Sequence, residues 1–247
     1  MPPPLPTPVV RRRPSPWGWL VAASAAILAA VAIALAVWWL ASRETMIASY
    51  NVRGSLNGVT LDLGEADADI VGGAEGGVAV RRTDRFAFGH RAVARRAVAG
   101  GVLRISSRCP ETVMGTCSAR YRLTVPDNVP VTVRTGSGDV SISRFRGSAR
   151  VDTSAGDIAV GAFCGFALQA RADTGNVQAE AACPLDRMEL RSASGNVSVT
   201  VPPGRYRVDA DSDTGQRAVR GLQAADDAPF QIQALSGSGN VDVEAAR

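Results

Sequence analysis

The 247-residue chain has no lysine, one histidine (His90) and only 5% aromatic residues. Without lysine there is no Lys-Ser/Thr to complete a phosphate-binding loop, so Gly136-Ser137-Gly138 does not mark a nucleotide site. With one imidazole, a Ser-His-acid or Cys-His arrangement can be built only around His90, which lies in an arginine-rich stretch and is expected to be exposed. Four cysteines with no Cys-x-x-Cys pair give zinc none of its usual ligand spacing. An excess of charge of one sign is also lacking. Arg11, Arg12 and Arg13 precede a long apolar segment, and the 24 arginines beyond it face 23 acids. A body this close to neutral argues against nucleic-acid binding, which needs a basic face to neutralise phosphates. No catalytic residue, cofactor or metal site is assigned.

Glycine is abundant, and much of it stands at fixed places. One pattern comes round six times, as in Thr135-Gly136-Ser137-Gly138-Asp139-Val140 and Ser192-Ala193-Ser194-Gly195-Asn196-Val197. The repeated glycines are Gly138, Gly156, Gly175, Gly195, Gly215 and Gly239, separated by 18, 19, 20, 20 and 24 residues. Seven and five positions before them stand apolar pairs such as Val131/Val133 and Met188/Leu190; two and four positions after them stand pairs such as Val140/Ile142 and Val197/Val199. Apolar residues at every second position on both sides of a Gly-polar corner mean two short strands, each with one buried face. Such a unit cannot bury that face alone, so copies must stack at about 4.8 Å spacing. The sequence therefore predicts an all-β chain with a β-solenoid of short two-strand rungs, period about 18–20, over residues 131–245.

Residues 50–130 are expected to form a longer-stranded sheet that caps the solenoid. Val59–Leu63 and Ala68–Val71 resemble a degenerate rung, with Ala68 in the glycine slot. Val78–Val80, Val102–Ile105 and Tyr121–Val125 read as antiparallel strands, and Pro126 to Pro130 punctuates the passage into regular rungs.

Ahead of these lie a proline-rich segment, 1–16, expected to be a disordered cytoplasmic tail, and an apolar run, 17–41, with no charge between Arg13 and Arg43. The run is long enough to span a bilayer, and Trp17, Trp19, Trp38 and Trp39 stand at its two ends, where aromatic belts belong. The arginine cluster before it predicts a single-pass signal anchor with a cytoplasmic N-terminus, a short tether over 42–49 and an extracytoplasmic remainder. A signal peptide cleaved after Ala34-Leu35-Ala36 is the alternative.

Cys164 and Cys183 each lie eight residues after a corner glycine, in adjacent rungs, so they are expected one above the other at disulfide distance. Cys109 and Cys117 then pair across a short loop containing Gly115, and disulfides accord with a domain outside the cytoplasm. Residues 81–108 hold eight arginines against Asp84 alone. Within them Arg91, Arg95 and Arg96 are a candidate patch for anionic lipid headgroups or an acidic envelope polymer, or else a solvated hairpin. At the corners, Asp139, Asp157, Asn176, Asn196, Gln216 and Asn240 should align along one edge. A calcium ladder would need six to eight oxygens per ion, and only two of these six are carboxylates, so local capping bonds are the expectation. Outward charges Arg134, Asp152 and Arg171 should alternate up the stack, as should Arg191 and Asp211.

Tyr121-Arg122-Leu123-Thr124-Val125-Pro126, then Val133 to Val140, then the repeated Ser/Thr-x-Ser/Thr-Gly-Asp/Asn-Val corners resemble the bacterial putative-adhesin family of β-strand-repeat domains over roughly residues 50–245. The resemblance implies an envelope-exposed β-solenoid, often behind a membrane helix, with no defined catalytic residues. The chain departs from the pattern at Gln216-Arg217, where an arginine takes an inward slot, and in the Gly221–Phe230 insertion, so looser final rungs are expected. The function that follows is a membrane-anchored, non-catalytic envelope scaffold whose partners are the membrane and an anionic polymer or another envelope protein. A polysaccharide-active enzyme and an envelope-stress regulator are the alternatives.

Overall fold

The computed structural model describes residues 16–111 and 116–246; the tail expected over 1–16, apart from Pro16, and Gly115 lie outside the described residues. The chain divides into two compact units, residues 1–43 and 44–247. The first contains the helix α1 (Pro16–Ala41). Its span Trp19–Leu40, 22 residues of mean hydropathy 2.7 with none buried, is long and apolar enough to cross a membrane. Ser42 closes the helix: its N–H donates to the Trp38 carbonyl and its hydroxyl to that of Trp39. The Arg43 guanidinium lies 3.8 Å from the Trp39 ring centre.

The second unit is built of strands. At its N-terminal end these are β1 (Arg43–Arg53), β2 (Gly58–Gly72), β3 (Gly77–Ala87), β4 (Val93–Ala99), β5 (Val102–Arg108) and β6 (Cys117–Val125). The two-strand rungs follow: β7 (Val131–Ser137) with β8 (Val140–Ser143), β9 (Ala149–Ala155) with β10 (Ile158–Phe163), β11 (Ala167–Thr174) with β12 (Val177–Ala181), and β13 (Arg187–Ser194) with β14 (Val197–Val201). The last are β15 (Arg205–Ser212), β16 (Arg217–Arg220), β17 (Gln223–Ala224), β18 (Phe230–Ser238) and β19 (Val241–Ala245).

Equivalent strands pair in parallel and in register, giving two sheets that face each other across a narrow core. The first runs β4, β5, the first half of β2, β7, β9, β11, β13, β18, β15, β17. The second runs β1, β3, β6, the second half of β2, β8, β10, β12, β14, β19, β16. Inward residues form columns: Ile105, Leu61, Val133, Val151, Ala170, Leu190 and Ala234 in one sheet, and Leu123, Ile70, Ile142, Val160, Ala179, Val199 and Val243 in the other, all buried.

The corner glycines make this stacking possible. A Cβ on Gly156 would stand 2.3 Å from the Gly138 carbonyl oxygen, one on Gly175 2.1 Å from that of Gly156, and one on Gly195 2.1 Å from that of Gly175. Gly138, Gly156, Gly175, Gly195 and Gly239 all have φ between 136° and 153°, which side chains disfavour. Hydroxyls brace the same column: Ser192, Ser236 and Ser212 donate to the carbonyls of Gly175, Gly195 and Gly239.

Several expectations need correction. The rungs do not stack in chain order, because β18/β19 lies between β13/β14 and β15/β16. The rung of Gly239 is therefore interior and that of Gly215 terminal. Arg217 consequently sits at the open end, where its inward slot meets water and its guanidinium donates to the Ala210 carbonyl. The long step from Gly215 to Gly239 provides the crossover, held by Arg205 on Asp227 and by Arg207 on the Asp226 carbonyl.

At the other end, β5 and β6 are not antiparallel hairpin strands. They form a further rung, parallel to β2, whose corner is the Cys109–Cys117 loop, while β4 on β5 and β3 on β6 run antiparallel. The glycine slot of β2 is Ala66 rather than Ala68, since Ala68 pairs with Val140 and a Cβ on Gly138 would meet the Ala66 carbonyl. Residues 43–49, expected as tether, belong to β1; the alternation of Met46, Ala48, Tyr50 and Val52 carries the strand pattern upstream.

Gly175→Ala should destabilise the domain by about 3 kcal/mol in urea denaturation, whereas Gly161→Ala, with open space around it, should fall within about 0.5 kcal/mol. Ending the chain at Pro229, just before β18, removes an interior rung. Backbone exchange should then rise across 205–220 as well, and preserved protection of β15 in the truncated chain would contradict the interleaved order.

Candidate functional site

The cap is where side chains of unlike chemistry meet. Along β3 the inward positions run Val78, Val80, Arg82, Asp84 and Phe86, so an ion pair follows the valines at the end of the core. Arg82 Nε donates to Asp84 Oδ1 at 2.6 Å, Arg82 Nη2 donates to the Ala92 carbonyl at 2.5 Å, and the guanidinium stands 5.7 Å from the Tyr121 ring centre. Asp84 is buried, and losing either partner would strand the other's charge.

The three arginines singled out from the sequence do not act alike. Arg96 pairs with Ile105 across the ladder, shares its inward face, and stacks on Tyr50 of β1, 4.5 Å from the ring centre. Arg91, in the turn before β4, reaches the Met46 sulfur of β1 at 2.8 Å. Arg95 pairs with Ser106 and projects from the outer face of β4. Arg91 and Arg96 thus join the two edge strands, β4 and β1. Nothing in the sequence marks this, because Met46 and Tyr50 lie about 45 residues upstream. His90 sits half-exposed in the same turn, with its N–H on the Ala87 carbonyl.

The corner amides and carboxylates form one line, bonded between rungs rather than locally. Asp139 Oδ1 accepts the Asp157 N–H at 3.0 Å, Asp157 Oδ1 that of Asn176 at 2.7 Å, and Asn176 Oδ1 that of Asn196 at 3.0 Å. Asn196 serves Asn240, and Asn240 serves Gln216, in the interleaved order. Asp67 begins the line by accepting from Asp139 N–H; the sequence pattern hides it by placing the corner of β2 two residues late. Each carboxylate oxygen so used is directed at a backbone N–H. Among the described residues no group of three or more His, Cys, Asp or Glu converges.

The outward charge columns follow the order of the rungs. Arg134, Asp152 and Arg171 are stacked, but Asp152 pairs with Arg150 of its own strand at 3.0 Å. Leu235 separates Arg191 from Asp211, and Arg191 donates to Gln233 instead. On the edge away from the glycines, Cys164 and Cys183 are disulfide-bonded with their α-carbons 5.1 Å apart; Cys109 and Cys117 are bonded at 5.8 Å. An open groove of about 980 Å3 runs along that edge past Asp127, Arg144 and Arg146.

Residues 128–244 match the family model described as Toastrack DUF4097. Among solved structures, a putative cell adhesion protein from Clostridium sporogenes superposes with TM-score 0.50 at 10% identity, covering 82% of this chain and 100% of that one. A putative adhesin from Bacteroides fragilis gives TM-score 0.49 at 11% identity, covering 82% and 97%. A putative lipid binding protein from Parabacteroides distasonis gives 0.34 at 10%, covering 81% and 97%. No curated protein matches the chain in sequence. The likeness to the Clostridium protein is one of fold.

All three tyrosines are held neutral. Burial raises the Tyr50 and Tyr121 hydroxyls above their ordinary value against the opposing pull of nearby arginines, and burial alone raises Tyr206. A raised folded-state value stabilises the fold below the unfolded phenol value of about 10 and ceases to do so as pH climbs through the folded value. Phenolate absorbance should therefore appear at higher pH in the native protein than in guanidinium, and Tm should fall above about pH 10. Coincident native and denatured titrations would contradict the burial of these rings.

Proposed function

We propose that this chain, with a Toastrack DUF4097 domain over residues 128–244 behind one apolar helix, is a membrane-anchored, non-catalytic scaffold that displays a flat binding surface outside the cytoplasm. The observation that carries this reading is the difference between the two outer faces. On the first sheet the long polar side chains satisfy one another: Arg150 donates to Gln169, Gln169 to Glu189, and Gln233 to Asp209. On the second, Ser141, Ala159, Gln178 and Ser198 follow one another rung by rung, mostly short and largely exposed. A row of short side chains leaves the sheet surface open to an extended polymer, which meets equivalent groups at about 4.8 Å intervals.

Two further points support the proposal. The adhesion name of the Clostridium protein is in keeping with it, although at 10% identity that likeness speaks for fold alone. The apolar helix and the disulfides agree with an anchored domain beyond the cytoplasm.

The test is cosedimentation of the full chain in detergent with cell-wall and membrane fractions. Saturable binding to one fraction is expected, reduced at least about tenfold, or about 1.4 kcal/mol, in the Ser141→Arg/Ser198→Arg variant with its Tm preserved. Undiminished binding would remove this face from the proposal, and release of soluble sugars would favour an enzyme.

A further inference from the structure

The cap carries a second surface, composed differently from the rungs. Its two edge strands, β1 and β4, expose Met46 (44%), Ile47 (54%), Val93 (59%) and Val98 (54%). Arg95 shares the outer face of β4 with Val93 and Arg96 the inward face with Val98, Arg91 lies in the turn before them, and none of the three has an acidic partner within ion-pair distance in the described residues. Glu44 is the one acid on β1, and β4 has none. On the rungs, by contrast, several outward arginines have carboxylate or amide partners, as Arg150 has Asp152, Arg187 has Glu189 and Arg191 has Gln233. Exposed aliphatic side chains interleaved with unneutralised arginines are the chemistry of a bilayer interface, where the apolar groups enter the headgroup boundary and the guanidiniums bind phosphate.

Chain length selects the membrane. Ser42 alone separates α1 from β1, so a bilayer that holds α1 brings its headgroup layer to the first residues of β1. Arg91 and Arg96 in turn tie β4 to Met46 and Tyr50 of that strand. We propose that the β1–β4 edge of the cap docks onto anionic lipid headgroups of the membrane in which α1 is anchored, through Arg91, Arg95 and the exposed aliphatics. This rests on the anchored reading above. It assigns the arginine-rich stretch to phospholipid rather than to a soluble polyanion, because a polymer has no tether to these two strands. Docking also covers the two strands whose free edges would otherwise be open to pairing.

The experiment is hydrogen exchange on the full chain in nanodiscs of phosphatidylcholine alone or mixed with phosphatidylglycerol. Peptides spanning 43–50 and 91–99 should exchange at least about threefold more slowly in the anionic discs, while rung peptides stay unchanged. The protection should disappear at about 0.5 M NaCl and in Arg91→Gln/Arg95→Gln. Arg95→Gln alone, which alters only an outward side chain, should remove part of it. Equal exchange in the two discs overturns the proposal. So does protection by soluble polyglutamate in zwitterionic discs without any from phosphatidylglycerol. N-terminal sequencing of the membrane-borne chain separates the two levels: a start at Val37 overturns anchor and docking together, whereas equal exchange with the helix intact overturns docking alone.

Discussion

Each rung touches the next most closely through backbone, at the glycine corner. There the α-carbon of one turn lies against the carbonyl of its neighbour with no room for a methyl group, from Ala66 through Gly138, Gly156, Gly175, Gly195 and Gly239 to Gly215. That approach sets the registry of the sheets on either side. The corner Asp and Asn side chains can then reach one rung along, and the Ser hydroxyls can reach a glycine carbonyl. The corner N–H groups along the line, and the carbonyls of Gly175, Gly195 and Gly239, are thereby satisfied by the adjacent copy. The rod is accordingly cooperative between neighbours, and a rung has little to hold it without the next.

A stack satisfied internally must still end, and the two ends do so differently. At the cap, strands reverse direction and the core closes on a paired Arg82 and Asp84 with aromatic rings beside them. At the far end the chain skips one position, builds the terminal rung first, and returns to fill the gap with β18 and β19. The terminal rung is thus joined covalently to both of the rungs beneath it, and peeling it away means opening the crossover as well. A non-local insertion of this kind adds loop-closure cost during folding.

The rungs were legible in the sequence because every repeat has the same offsets from one glycine. The register that aligned the apolar columns also put Cys164 above Cys183. The order of the rungs was not legible for the same reason, since columns of identical pattern accept copies in any sequence. Two features did carry the information. Arg217 in an inward slot is tolerable only at an end, and the enlarged step before Gly239 is longer than a sequential rung requires. Asp67 and the role of β1 were hidden because Ala66 replaces the glycine that served as marker, and because the strand lies far in sequence from the arginines it meets. Of the candidate arginines, position alone was visible; which of them turn inward depends on ladder partners that no local pattern specifies.

Translation by one rung places like beside like. A reaction centre needs unlike groups brought together at one point, an acid against a base or a nucleophile against an oxyanion donor. Stacked corners multiply one group along a line instead, which suits contact with a repeating or extended partner. Chemistry particular to this chain must therefore reside where the translation is broken, at the cap with its arginines and exposed aliphatics and at the crossover between β16 and β18. Of these two, only the cap is joined directly to the apolar helix, and there Arg91, Arg95 and Arg96 stand without acidic partners among the described residues beside exposed apolar side chains. The interior of the stack provides rigidity and spacing, while its irregular end provides the place where selectivity toward a surface can arise.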